Sequence, residues 1–152
     1  MASFSRGAEL QPLLTLIDKK GVPENEQRQA QKIAVSICYE DAFGEEVIRS
    51  LPEATLLVNI SNDAWFGESI APLQHLQIAR MRALETGRVL MRATNTGVSA
   101  VIDPKGRLQA IAPQFEEVVL TEQVQPMKGA TPYVRGGNLP ILIIIVLMMG
   151  VG

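Results

Sequence analysis

Ile33, Val35 and Ile37 alternate with the smaller Ala34 and Ser36, the period-two pattern of a strand entering a core. The run stops at Cys38-Tyr39-Glu40-Asp41, and residues 43–51 then read as a short helix closed by Pro52. Residues 55–60 form a nearly continuous apolar block, as expected of a strand covered on both faces. That block empties into the polar and aromatic loop Ser61-Asn62-Asp63-Ala64-Trp65-Phe66-Gly67. From 72 to 86, Leu73, Leu76, Gln77, Arg80, Met81 and Leu84 recur at helical spacing, with Pro72 in the first turn and Gly87 at the stop. Residues 98–102 and 107–111 flank Asp103-Pro104-Lys105-Gly106, a strong hairpin turn, and 117–124 predict one more strand. Ahead of these, residues 1–18 suggest a loop and a short strand, and 19–29 a polar hairpin or surface excursion. The order strand, helix, strand, helix, then a run of strands predicts an α/β fold with a layered sheet.

The last apolar block changes this picture. Residues 139–151 read Leu-Pro-Ile-Leu-Ile-Ile-Ile-Val-Leu-Met-Met-Gly-Val, without a charge. At roughly 13 residues the block is shorter than the roughly 20 that cross a bilayer as a helix. Its Ile and Val content also suits a buried strand. An uncharged terminal run would nonetheless be a sticky soluble tail, so the expectation is the first half of a transmembrane helix. Gly136-Gly137-Asn138 mark the boundary, giving a folded portion over 1–137 and a truncated membrane segment over 138–152.

Length and composition narrow the function classes. The 152 residues suffice for one core, and 47% hydrophobic against 20% charged residues is globular. A net charge of −2 carries no nucleic-acid footprint. One histidine and one cysteine, far apart, argue against a zinc site. Residues 1–10 lack the basic region and apolar core of a signal peptide.

The single cysteine, Cys38, sits where a strand meets an acidic, helix-opening segment containing Glu40, Asp41, Glu45 and Glu46. A thiol on such a sharp strand-to-helix turn has backbone N–H groups beside it that can stabilise an oxyanion, the geometry of a nucleophile elbow. The same residue type is also a common small buried hydrophobe, and position rather than identity favours the nucleophile.

Ile37-Cys38-Tyr39-Glu40, Ser61-Asn62-Asp63-Ala64-Trp65-Phe66-Gly67, Gln74-His75 with Ala79-Arg80-Met81-Arg82-Ala83-Leu84-Glu85, and Thr94-Asn95-Thr96-Gly97-Val98 occur in this order. The series resembles the nitrilase, or carbon–nitrogen hydrolase, superfamily, and most closely the apolipoprotein N-acyltransferases of bacterial inner membranes. Phe4-Ser5-Arg6-Gly7, Pro113-Gln114-Phe115 and Thr131-Pro132-Tyr133-Val134-Arg135 look like that branch too. The resemblance implies an α-β-β-α sandwich on a membrane-embedded helical bundle. It also implies a Glu–Lys–Cys triad whose thiol takes an acyl chain from a phospholipid and passes it to the amine of a diacylglyceryl lipoprotein. Phospholipid, lipoprotein and membrane are then the partners, no cofactor is required, and the catalytic domain lies on the periplasmic side of the inner membrane.

Cys38 matches the family's nucleophile. The glutamate and lysine of the triad belong upstream of the segment resembling residues 1–7, and Lys19, Lys20 and Lys32 do not match the lysine's motif. The expectation is a C-terminal piece of a longer enzyme, inactive alone. Tyr39 offers the N–H next to the nucleophile, and Glu40 can orient the incoming amine or the lysine, or simply favour a helix start. Trp65, after a strand end, is the expected acyl-guiding aromatic. His75 is expected to be a satisfied structural histidine, Asn62 and Asp63 to shape their loop, and Gly97 to supply backbone freedom to a turn. Arg80, Arg82 and Glu85 read as helix-surface scaffold. The rival functions are a soluble nitrilase-like amidase and a non-catalytic fragment.

Overall fold

The computed structural model describes residues 11–16 and 31–150. Within them lies a six-stranded sheet in sequential order: β1 (Leu14–Leu16), β2 (Gln31–Ile37), β3 (Leu56–Ser61), β4 (Leu90–Thr94), β5 (Ala100–Ile102) and β6 (Leu108–Ile111). Strands β2, β3 and β4 run parallel, with β1 antiparallel to β2 on one side and, on the other, β5 antiparallel to β4 and β6 antiparallel to β5. Parallel neighbours require crossovers, and the helical segments supply them. A 3-10 helix (Cys38–Ala42), α1 (Gly44–Val47) and a 3-10 turn (Ile48–Ser50) join β2 to β3, and α2 (Ala71–Thr86) joins β3 to β4. The single helix expected over 43–51 is therefore broken into turns. Phe43, at φ −98° and ψ 87°, interrupts the helical path between the first two.

Strand alternation builds two apolar faces. On one, Ala34, Leu57, Leu90 and Ile102 stand side by side in register and are buried with Leu76, Ala79 and Ala83 of α2. On the other, Ile33, Leu56, Val89 and Val101 are buried, with Leu120 and Val124 laid across them. This second face opens toward the C-terminal ends of the parallel strands, where Ile37 and Ile60 are half exposed. Coverage on both faces thus holds for most of β3 and ends at Ile60.

Two further expectations are corrected. The buried stripe of α2 is Pro72, His75, Leu76, Ala79, Ala83 and Thr86, while Leu73, Met81 and Leu84 are about half exposed on other faces. Small residues pack closest to the sheet, so the larger apolar side chains do not mark the core face. Residues 117–124 form no strand. Their apolar side chains are satisfied by crossing the sheet face, and the Met127 N–H donates to the Thr55 carbonyl (3.1 Å) beyond them. The loop and surface elements expected over 1–10 and 17–30 lie outside the described residues.

After Thr131, whose hydroxyl caps the short helix α3 (Pro132–Gly136) by accepting from Val134 N–H, the chain enters α4 (Leu139–Gly150). The apolar run is a helix, with every side chain at the surface. Twelve residues rise about 18 Å. Among the described residues no helix is long and apolar enough to cross a membrane. The Asn138 N–H, just before α4, donates to the Glu45 carboxylate (2.6 Å), tying this helix to α1.

The hairpin between β5 and β6 lies at the opposite end of the sheet from the C-terminal ends of β2–β4. Asp103 organises it: Oδ1 accepts from the N–H groups of Lys105 and Arg107 (2.8 Å each) and Oδ2 from Arg107 Nε (2.7 Å). Burial pushes the Asp103 carboxyl up, but the hydrogen bonds and charge of Arg107 and the Lys105 N–H outweigh it, leaving a net depression below the usual carboxylate value. A depressed folded-state pKa adds stability that is present above the unfolded value and lost as pH falls through the folded one. Asp103→Asn is therefore expected to cost about 2 kcal/mol at neutral pH. The difference from the unaltered protein should shrink from about pH 4 downward, as read by thermal melts across pH.

Candidate active site

The C-terminal ends of β2, β3 and β4 share one edge, the edge where open parallel sheets place ligand loops. Cys38 is the first residue past β2, half-buried, with φ at +53°. A non-glycine residue in this left-handed region costs about 1–2 kcal/mol and persists only where surrounding contacts over-determine it. Here the contact is Asn59, on the neighbouring strand, whose Nδ2 donates to the Cys38 carbonyl and to Ser36 Oγ (3.0 Å each). The Tyr39 N–H follows in the first turn of a 3-10 helix, where backbone donors are left over. Glu40 folds back, and its Oε2 accepts from the Ile37 N–H (2.7 Å), so its carboxylate holds the entry to the turn. The Tyr39 ring is half exposed and touches Phe43 edge-on.

Beneath this turn lies a cluster of buried charges. Arg92 of β4 donates from Nη1 to Asn59 Oδ1 (2.6 Å) and Asp41 Oδ2 (3.4 Å), and from Nη2 to Asp63 Oδ2 (2.9 Å). His75 of α2 places Nε2 3.0 Å from Asp41 Oδ1 and Nδ1 3.2 Å from Asp63 Oδ1. Ser61 Oγ donates to Asp63 Oδ1 (2.6 Å). All of these side chains are buried. Such pairs are tolerated only when both charges and their remaining hydrogen-bond sites are matched.

Trp65 sits on the 3-10 turn Ala64–Phe66, just past β3, and is 83% exposed. His75 meets the Phe66 ring on one side (6.5 Å) and the Tyr39 ring on another (5.8 Å), and so links the turn of Trp65 to that of Cys38. Asn62 shapes this loop as expected, its Oδ1 accepting from Ala64 N–H and Asn95 Nδ2. Asp63 does not act merely as a loop former: its carboxylate is fully buried in the ion cluster. Gly97 is needed for space rather than freedom, since a Cβ there would stand 2.8 Å from the Asp63 Cβ and collide with its carboxylate. Farther along the same edge, Asn95, Thr96, Ser99, Pro113, Phe115 and Glu117 line a cavity of about 480 Å³.

Cys38, Tyr39 and Glu40 therefore share one turn, and Trp65 occupies the adjacent one. His75 is satisfied inside the protein, between two carboxylates. Arg82 and Glu85 pair on α2 (3.0 Å), with burial raising the Glu85 pKa against the lowering effect of Arg82, and Arg80 Nε donates to the Gly106 carbonyl (2.8 Å). Asn59 and Arg92 are the supporting residues that sequence reasoning missed. Among the described residues, no group of three or more His, Cys, Asp and Glu side chains is arranged to hold a metal ion.

The fold and this edge define a class. The carbon-nitrogen hydrolase family model matches residues 8–133, and the chain belongs to that family. Its sequence is similar to proteins named apolipoprotein N-acyltransferase. That of Nitrosomonas europaea is 52% identical over 153 residues, covering 100% of this chain and 28% of the relative. That of Methylococcus capsulatus is 52% identical over 142 residues, covering 93% and 26%. The chain thus spans little more than a quarter of the length of these relatives. Among solved structures, it is similar to Saccharomyces cerevisiae Nit3, a member of branch 10 of the nitrilase superfamily, with 27% identity and a TM-score of 0.50 over 59% of this chain and 36% of that one. A cysteine-to-alanine mutant of the Nesterenkonia AN1 amidase shares the fold at a TM-score of 0.51 and 21% identity, over 73% of this chain and 40% of that one.

Proposed function

We propose that this chain is the C-terminal part of the catalytic domain of an apolipoprotein N-acyltransferase, with Cys38 as its acyl carrier. The observation that carries the reading is Cys38 held at positive φ on the edge where the parallel strands end, at the start of a 3-10 helix whose first turn brings the Tyr39 N–H beside it. The thiolate attacks the ester carbonyl of a phospholipid; the C–S bond forms, the ester C–O bond breaks, and the leaving alkoxide takes up a proton. The α-amine of a diacylglyceryl lipoprotein then attacks the thioester, forming the amide C–N bond and releasing the thiolate after the amine loses its proton. Tyr39 N–H serves the developing oxyanion, and Trp65, almost bare, guides the acyl chain. Glu40 braces the turn in the free state and orients the incoming amine.

In this reading residues 1–137 belong to the catalytic domain and 138–152 begin a membrane-spanning helix. The exposure of every side chain of α4 supports that division. The enzyme resides in the bacterial inner membrane with the catalytic domain on the periplasmic side, and a glutamate base and a lysine complete its triad.

The test supplies the full-length protein with a phospholipid bearing an alkyne-tagged acyl chain and a synthetic diacylglyceryl lipopeptide. The expected result is tagged acyl on Cys38 without the acceptor, and on the peptide amine with it. Hydrolysis of small amides with no transfer from phospholipid would favour a soluble-type amidase instead.

A further inference from the structure

The mechanism above does not use His75, buried at the centre of the charge cluster. An ionised carboxylate only accepts hydrogen bonds, and one faces each ring nitrogen, from Asp41 at 3.0 Å and Asp63 at 3.2 Å. His75 thus bridges the two aspartates, and Arg92 bridges the same pair from β4. The groups facing it from neighbouring elements are those carboxylates and the rings of Tyr39 and Phe66.

What the cluster holds in place is the Cys38 turn. Asp41 is part of that turn, three residues beyond the thiol, and is gripped by His75 from α2 and Arg92 from β4. Arg92 also fixes Asn59 Oδ1 at 2.6 Å, which leaves Asn59 Nδ2 aimed at the Cys38 carbonyl. The left-handed conformation at Cys38 is thereby clamped at its own carbonyl and at Asp41.

We infer that His75 and Asn59 are positioning residues for the Cys38 thiol: the first anchors the turn through Asp41, and the second pins the Cys38 carbonyl so that the Tyr39 N–H faces the reacting carbonyl oxygen. The assignment rests on Cys38 being the acyl-carrying nucleophile, but not on the identity of the donor lipid or the acceptor.

Two variants test it in the full-length protein. Asn59→Asp keeps the size and the oxygen that pairs with Arg92, and removes the donor to Cys38. His75→Gln retains a donor for one carboxylate and loses the contact to the other. Acylation of Cys38 by p-nitrophenyl butyrate, followed by peptide mass spectrometry, needs the aligned turn. Alkylation of Cys38 by iodoacetamide needs only an accessible thiol. Within the folded range set by each variant's melt, acylation is expected to fall about 100-fold. Alkylation should stay within about threefold. Equal falls in both rates, or unchanged acylation, would overturn the assignment. If the unaltered protein is acylated by the ester but not by phospholipid, and the variants still separate the two rates, the acyl-transfer reading fails while this assignment stands.

Discussion

Replacing Cys38 with serine in the full-length protein is expected to abolish the acyl-enzyme and reduce acyl transfer about 10,000-fold or more. The two side chains differ by one atom, so the left-handed turn, the Asn59 contact and the buried charges beneath it should all survive. What changes is the nucleophile. A thiol yields a usable thiolate near neutral pH, whereas a serine hydroxyl needs a base matched to it at close range. The nearest carboxylate on the turn, Glu40, is spent on the Ile37 N–H, and Asp41 lies in the ion cluster. Mass spectrometry after incubation with phospholipid should therefore find no acyl group at position 38, with the melting temperature within a few degrees of the unaltered protein. Acylation at some other residue, or retained turnover, would remove Cys38 from the mechanism.

The largest effect on stability is expected from Arg92→Leu. This guanidinium pairs with both Asp41 and Asp63, at 3.4 and 2.9 Å, and both carboxylates are fully buried. Removing it leaves both carboxylates with only His75 between them and strips Asn59 Oδ1 of the donor that orients it. Breaking a buried pair from one side costs about 3–5 kcal/mol, most of it the desolvation of the charge left behind. Arg92→Lys should recover less than half of that loss, because an ammonium is a point charge that cannot span two carboxylates and an amide in one plane. Calorimetry of the three proteins at neutral pH checks the order. A leucine variant that melts with the unaltered protein would mean that the cluster does not hold the fold together.

Much of the fold was readable because it depends on patterns that are local. Alternation around Ile33–Ile37 and the apolar block ending at Ile60 set β2 and β3, and the turn chemistry of Asp103-Pro104-Lys105-Gly106 set the last hairpin. The face of α2 was misjudged because its buried positions are filled by Ala79, Ala83, Thr86 and His75, chosen for close approach and polarity rather than hydrophobic bulk. Residues 117–124 have the composition of a strand but use it to cover a sheet face. The turn of Cys38, Tyr39 and Glu40 was visible as a junction of two patterns. Its supports were not, because Asn59 is embedded in an apolar strand and Arg92 reads as an ordinary surface cation. A signal did exist: a polar residue interrupting an apolar run, like Asn59 between Val58 and Ile60, marks an internal partner. The partner itself emerges only from strand pairing.

That pairing also guards against mistakes in assembly. Ser36, Asn59 and Arg92 lie opposite one another across three parallel strands, one row beyond Ala34, Leu57 and Leu90. If β4 slipped past β3 by one residue, side chains would exchange faces, and the guanidinium would enter the oily layer shared by Ile33, Leu56 and Val101. Hydrophobic matching alone would penalise that slip weakly, since β2 and β3 are apolar on both sides. An unpaired cation penalises it heavily. Arg92 thus serves as the notch of a key, allowing the parallel strands to lock in a single alignment before any chemistry is possible at their edge.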